Sequence, residues 1–409
     1  MSGRTATLLS VAASVRSAAI GLVGVLFAIS LAARGLTPAA IGLVIGVGVA
    51  GGAVGTAITA VYADRWGRRR TLASISIVAG LGYVGVALSD DLVALVPVAV
   101  FGMVNAMGRD RGPASALDQA IVASIATDDR RTWALAWYNA VVDIGHALGA
   151  LAAAVPTGLV TLLGVAPRRS HTIVFIACGV LIAAAALPYL LLDPAVEVAP
   201  APNGHRSQSI EPESRGMIRR IAGLFAIDSI GGGFLSSALV AYWFFEQYGA
   251  SEVALAGLFF AARILNVVSH LGAAWLARRI GLVNTMVFTH LPSSVLLMLA
   301  PFAPTGAIAA MLFLLRETLV EMDVPTRQSY VMAVVPASAR TLASSVTNLT
   351  RSIGWAVGPL LGGPMMQHLS LAAPLFIGGT LKIGYDLALF RAFRHIRPPE
   401  ERRLAESGT

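Results

Sequence analysis

Charged side chains stand inside the long apolar runs of this sequence, and they are the residues whose types could do chemistry. Arg16 lies in the first run. Arg109, Asp110, Arg111 and Asp118 lie in the fourth, Asp143 and His146 in the fifth, and Asp228 in the seventh. Arg263 and His270 follow in the eighth and His290 in the ninth. The tenth holds Arg316, Glu317, Glu321, Asp323 and Arg327, the eleventh Arg351, and the twelfth Asp386 with Lys382, the only lysine. Charges in such a setting are costly, so they pair with one another or face a water-filled path. A carboxylate there takes up and releases protons, and an arginine fork binds carboxylate or phosphate-like anions. Bond-making chemistry is not expected. The sequence has no Walker A string, no nucleophile elbow and no metal-ligand spacing, and its seven histidines are scattered. The lone Cys178 excludes a disulfide and a cysteine-based metal site. The chain therefore reads as a non-enzyme with no cofactor and no metal. His146, His270 and His290 read as hydrogen-bonded packing residues rather than proton carriers, with Asp143 on the helix face of His146.

The elements that must position these groups are membrane helices. Of 409 residues, 56% are hydrophobic and 13% charged, and the mean hydropathy is +0.73. A soluble protein carries about twice that charged fraction. Twelve spans are predicted near 9–33, 38–61, 71–89, 92–120, 132–160, 171–192, 219–247, 252–276, 283–301, 305–333, 342–366 and 371–393. At about 1.5 Å per residue, runs of this kind cross the hydrocarbon layer. Residues 193–216 are polar and contain Pro194, Pro200, Pro202 and Pro212, so they form a linker. The organisation is a six-helix half over 1–192, a cytoplasmic linker over 193–216, a second half over 217–393 and a cytoplasmic tail over 394–409. With both termini inside, nineteen arginines fall on the cytoplasmic side and only Arg34, Arg168 and Arg169 outside. The positive-inside rule thus accounts for the net charge of +8, and nucleic acid is not an expected partner. The N-terminal run reads as an uncleaved first helix.

The two halves repeat. Arg131, Asn139, Gly145 and Gly149 recur as Arg340, Asn348, Gly354 and Gly358, each 209 residues on. Gly112-Pro113 matches Val324-Pro325, and Ala63 to Gly67 matches Ala277 to Gly281. Small residues mark close helix contacts: Gly42, Gly46, Gly51, Gly52 and Gly55 in the second span, and Gly354-x-x-x-Gly358-Pro359-x-x-Gly362-Gly363 in the eleventh. Between the second and third spans lies Tyr62-Ala63-Asp64-Arg65-Trp66-Gly67-Arg68-Arg69-Arg70. Its D-R-x-G-R-R pattern resembles the loop between helices 2 and 3 of major facilitator superfamily transporters, with Ala60 where the family usually has Gly. The Gly-Pro string resembles the antiporter motif of that family's fifth span. Here it stands in the eleventh, where it reads as packing.

The resemblance covers nearly the whole chain, and it implies an all-α membrane protein of two pseudo-symmetric six-helix halves. It implies that spans 1, 4, 7 and 10 line a central cavity. Arg16, Arg109, Asp110, Arg111, Asp228, Arg316, Glu317, Glu321 and Asp323 are then candidates for substrate binding or coupling. Asp64, Arg65, Gly67, Arg68 and Arg69 are candidates for gating. The implied function is secondary active transport of a small solute by alternating access, as proton-coupled efflux. An alternative is a carrier of a small anion bound by Arg16, Arg109 and Arg111. A transporter-like sensor or lipid flippase is an alternative of another class. The implied setting is a bacterial-type inner membrane, with small solute, protons and lipid as partners of a monomer. Aligning Pro113 with Pro325 sets Arg109 against Glu321 and Arg111 against Asp323, which suggests a gate between the halves. The competing reading satisfies each charge within its own half, for instance Arg316 with an acidic neighbour one turn along.

Overall fold

The computed structural model describes residues 3–125, 131–197, 212–324, 326, 327, 330, 335 and 340–394. Pro325, linker residues 198–211 and the tail from 395 lie outside them. The described residues are almost all helical and contain no strand. The first nine helices are α1 (Gly3–Ala33), α2 (Pro38–Trp66), α3 (Arg68–Leu88), α4 (Leu92–Phe101), α5 (Pro113–Ile125), α6 (Arg131–Ala152), α7 (Val155–Leu163), α8 (Pro167–Ala184) and α9 (Ala186–Leu190). They are followed by α10 (Pro212–Phe234), α11 (Ser237–Tyr248), α12 (Glu252–Ile280), α13 (Leu282–Leu299), α14 (Gly306–Val320), α15 (Arg340–His368) and α16 (Ala373–Phe393). Eight helical stretches among the described residues are long and apolar enough to cross a membrane, which is consistent with twelve spans.

Local signals set the helix ends. Thr37 caps α2 by accepting from the Ala40 amide, and Pro38 occupies the first turn. Asp91, Ser236 and Thr305 cap α4, α11 and α14 in the same way. Gly67 turns the chain between α2 and α3 at φ 92°, a conformation that a side chain disfavours.

The fourth span corrects the sequence reading, which runs one helix over 92–120. α4 stops at Phe101, residues 102–112 are irregular, and α5 begins at Pro113. Met103 and Gly108 take positive φ, and Pro113 can start a helix but not continue one smoothly. Non-helical backbone in the hydrocarbon region must find partners within the protein. Here Tyr83 accepts from the Asn105 amide at 3.0 Å, Asn105 Oδ1 accepts from the Met107 amide at 2.9 Å, and Asn105 Nδ2 donates to the Arg109 carbonyl at 2.7 Å. The seventh span is also interrupted, at Leu235 and Ser236 between α10 and α11, and the tenth leaves α-helix at Glu321.

Two compact units form. One consists of Met1–Pro202, Ser236–Arg263 and Pro359–Leu371, the other of Asn203–Leu235, Ile264–Gly358 and Ala372–Thr409. The first therefore includes α11, the start of α12 and the end of α15, which the repeat assigns to the second half. Within it α1 packs on α6 and α11, and α3 on α8. Leu9, Leu72, Ile121, Val142 and Tyr189 centre its core. α2 meets the end of α15 through glycines: a Cβ on Gly42 would stand 2.7 Å from the Gly363 Cα. In the second unit α13 packs on α14 and α16, and α10 on α16, around Phe225, Met286, Tyr385 and Leu389.

Candidate functional site

Each unit buries an ionic cluster, and four of the nine binding or coupling candidates, Arg16, Asp110, Asp228 and Asp323, lie in them. In the first unit Arg16, midway along α1 and 5% exposed, is the hub. Its Nε donates to Asp110 Oδ2 at 2.6 Å and its Nη2 to Asp118 Oδ2 at 2.9 Å. Nη1 donates to the Tyr189 hydroxyl and Nη2 to that of Tyr138 at 3.3 Å. Both hydroxyls donate onward to Asp118 Oδ2, at 2.9 and 3.0 Å. Three residues thus converge on one oxygen of Asp118, while its Oδ1, fully buried, has no hydrogen-bond partner among the described residues. One guanidinium thus bonds two buried carboxylates here.

The irregular fourth span makes this arrangement. Asp110 lies on it, and its amide donates to His146 Nε2 at 2.8 Å. A bare Nε2 places the ring proton on Nδ1, 3.9 Å from Asp143. His146 is thus a backbone-satisfying residue, as the sequence reading has it, with Asp143 on its face. Arg109 is half-buried and Arg111 exposed, both in the first unit.

In the second unit Asp228 on α10 accepts from Lys382 at 2.8 Å and from Arg327 Nη1 at 3.2 Å. The same Arg327 nitrogen also bonds Asp323, one turn earlier. Lys382 Nζ lies 3.3 Å from His290 Nε2, and His290 Nδ1 lies 2.9 and 3.0 Å from the two oxygens of Asp386. Arg316 pairs with its neighbour Glu317, which also accepts from Asn266 at 2.7 Å. Glu321 lies 3.4 Å from His270. Asp323 and Glu321 thus have partners, Arg327 and His270, within the second unit, and Arg316 pairs with the adjacent Glu317 rather than with an acidic residue one turn along.

In the arginine-rich turn two of the gating candidates, Asp64 and Arg68, are bonded to each other. Asp64 bonds Arg68 Nε at 2.7 Å, and Arg68 reaches Ser124 at 3.2 Å. Arg65 is exposed. A partner not evident from sequence is Glu197, whose carboxylate accepts from the Arg68 amide at 2.5 Å and the Arg69 amide at 3.2 Å. It caps the start of α3, where a helix favours an anion. Arg69 also donates to the Leu190 carbonyl.

The first unit holds one more set of ties, between elements from both sequence halves. Glu252, at the start of α12, bonds His171 of α8 at 2.5 Å and accepts from Thr157 of α7 at 2.7 Å. Gln367 at the end of α15 accepts from the Ala39 amide of α2 at 3.1 Å.

Sequence reasoning places Arg16, Asp110, Asp228 and Asp323 among the candidates but leaves out the residues that complete the clusters. Asp118, Arg327, Lys382, His290 and Asp386 stand out as intramembrane charges. Tyr138 and Tyr189 have no signal in the sequence.

Comparison with known proteins gives a consistent picture. The model of the Major Facilitator Superfamily matches residues 9–359. An uncharacterised membrane protein of Saccharomyces cerevisiae is 25% identical over 407 residues, covering 90% of this chain and 89% of the yeast protein. Among solved structures, the nucleoside transporter NupG superposes with a TM-score of 0.73 at 14% identity, over 96% of this chain and 99% of that one. A bacterial homologue of the human lysosomal transporter Spinster, inward-facing and occupied, gives 0.70 at 15% identity over 95% and 94%. The human organic anion transporter MFSD10 gives 0.62 at 15% identity over 94% and 99%.

Proposed function

The chain belongs to the Major Facilitator Superfamily, and from that premise we propose that this membrane transporter couples the movement of a small solute to protons, exporting it by exchange. The observation that carries the coupling is the Arg16 cluster. Arg16 bonds two buried carboxylates, and Asp118 keeps a buried oxygen with no hydrogen-bond partner among the described residues. A proton at that oxygen neutralises Asp118 and weakens its hold on Arg16, and its loss restores the carboxylate. Alternating access then needs contacts that form in one state and break in the other. The ties of Glu252 to His171 and Thr157, and of Gln367 to Ala39, join helices of the two sequence halves. With both termini cytoplasmic, as the arginine asymmetry argues, these ties lie at the outer ends of the helices and are contacts that must break for the outward-open state. Export follows the resemblance to efflux members.

A second reading, a carrier of small anions, is favoured by one observation. Nε and Nη2 of Arg327 and Nε of Arg351 are buried without hydrogen-bond partners among the described residues. Guanidinium nitrogens in that state are donors for a carboxylate or phosphate-like group.

Both readings meet one experiment: accumulation of labelled solutes in everted membrane vesicles, with and without an uncoupler. The panel includes nucleosides and organic anions, the cargoes named for structural neighbours. The expected result is accumulation of at least one solute, which collapses when the uncoupler is added. Accumulation of organic anions alone favours the second reading. Accumulation that the uncoupler leaves intact rejects proton coupling.

A further inference from the structure

We propose that the second unit holds a solute site at Gly232, where a small organic anion with a planar ring pairs its carboxylate or phosphate-like group with Arg351 and sets its ring against Trp355. The site rests on the transporter reading above, and it narrows the anion reading to one arginine and one class of anion.

The carboxylates of this cluster are held by other groups. Asp228 bonds Lys382 and Arg327, Asp323 bonds Arg327, and Asp386 lies 2.9 Å from His290. Arg351 of α15 lies close enough for its charge to reach Asp228 and Asp323. It forms no ion pair with either, and its Nε is fully buried with no hydrogen-bond partner among the described residues. Its guanidinium lies over the Trp355 ring, 4.8 Å from the centroid. A ring face stabilises a cation but leaves its N–H donors unused, and buried donors without acceptors are costly. An anion at Arg351 satisfies them. Arg327 is a poorer host, because it is 2% exposed and already bonds two carboxylates.

The glycines of α10 provide the room. A Cβ on Gly231 would stand 3.1 Å from the Gly378 carbonyl, and one on Gly233 would stand 2.8 Å from the Gly358 Cα. Close packing of α10 on α16 and α15 accounts for both. It does not account for Gly232, where a Cβ would meet the Trp355 Nε1 at 3.4 Å, its Cδ1 at 3.7 Å and the Lys382 Nζ at 3.9 Å, all ordinary contacts. Glycine weakens a helix interior, so what it supplies at 232 is space beside the indole edge. Gly232, Arg351 and Trp355 are each half-buried, whereas Gly231, Gly233, Gly354 and Gly358 are buried. Leu349 and Ile353, two positions either side of Arg351, are 49% and 54% exposed and mark the opposite face of α15.

The chemistry of this surface selects the ligand. One guanidinium without a counter-ion matches one anionic group, and its fork bonds a carboxylate or phosphate bidentately. The walls beside it are flat: an indole edge, a guanidinium plane and a helix surface with no side chain. A planar ring packs against an indole edge and stacks on a guanidinium.

The test uses 4-nitrobenzoate and its neutral counterpart 4-nitrobenzamide, titrated onto the purified full-length protein in nanodiscs while tryptophan fluorescence is followed. The anion should quench saturably and the amide should not. Arg351→Gln should raise the half-saturating concentration at least about tenfold, the scale of a lost charge-assisted hydrogen bond. Gly232→Val, which fills the space, should do the same, and Trp355→Phe should remove most of the saturable quenching. Thermal melting shows that each variant is folded. Where Arg351→Gln does not fold, Arg351→Lys keeps the charge, loses the fork and should still weaken binding. Where Gly232→Val does not fold, Trp355→Phe locates the site. Absence of saturable quenching by 4-nitrobenzoate, equal quenching by the amide, or quenching that the Arg351 and Trp355 variants leave unchanged overturns the proposal. No gradient is imposed, so failure here leaves the transport reading standing, and failure of the vesicle assay leaves this site standing.

Discussion

Arg16→Ala abolishes solute movement and lowers the stability of the folded protein by about 3–5 kcal/mol, the range for breaking a buried pair. The substitution leaves Asp110 and Asp118 in the interior without the guanidinium they share, and it removes the donors that reach Tyr138 and Tyr189. Arg16→Lys does not rescue it, because one ammonium cannot span both carboxylates and both hydroxyls as the planar fork does. The triple variant Arg16→Ala/Asp110→Asn/Asp118→Asn separates structure from function. It removes the stranded charges, so it regains most of the thermal stability while staying inactive. Thermal melting in detergent and solute flux in liposomes read the two effects. A single Arg16→Ala variant as stable as the unaltered protein shows that the cluster is not held by this cation.

Asp228→Ala is the second large effect. It strands Lys382, whose remaining hydrogen-bond neighbour is His290, and it leaves Arg327 with Asp323 alone. Loss of transport and a destabilisation of about 3–5 kcal/mol are expected, again from an uncompensated buried charge. Asp228→Ala/Lys382→Met removes the charge together with its partner and should recover much of the stability. If the double variant melts as low as the single one, Lys382 is not the group that Asp228 neutralises.

The fold was legible because membrane helices advertise themselves: long apolar runs, an arginine-rich turn and a repeat visible at Arg131 and Arg340. The charged candidates were legible for a related reason, since each stands alone in an apolar run. Their partners were not. Tyr138 and Tyr189 reach Arg16 from α6 and α9, and a hydroxyl on an aromatic ring leaves no pattern in the sequence. The partners of His290, Lys382 and Asp386, lie 92 and 96 residues away. The break in the fourth span escaped for a physical reason. Apolar character continues through Met103, Val104 and Ala106, and the irregular backbone is tolerated only because Tyr83, Asn105 and His146 satisfy it from tertiary positions. That break carries Asp110 to Arg16, so the site depends on the feature least visible in the sequence.

The claim at the centre of this account is that protons and solute move in exchange through a protein whose buried carboxylates carry the proton. Purified protein in liposomes, with a pH-sensitive dye enclosed and a transported solute supplied on one side, tests it most directly. Solute entering should drive protons out, and an imposed proton gradient should drive solute the opposite way. Asp118→Asn should silence both while the protein stays folded. Solute flux that moves no protons and ignores the pH gradient contradicts the account.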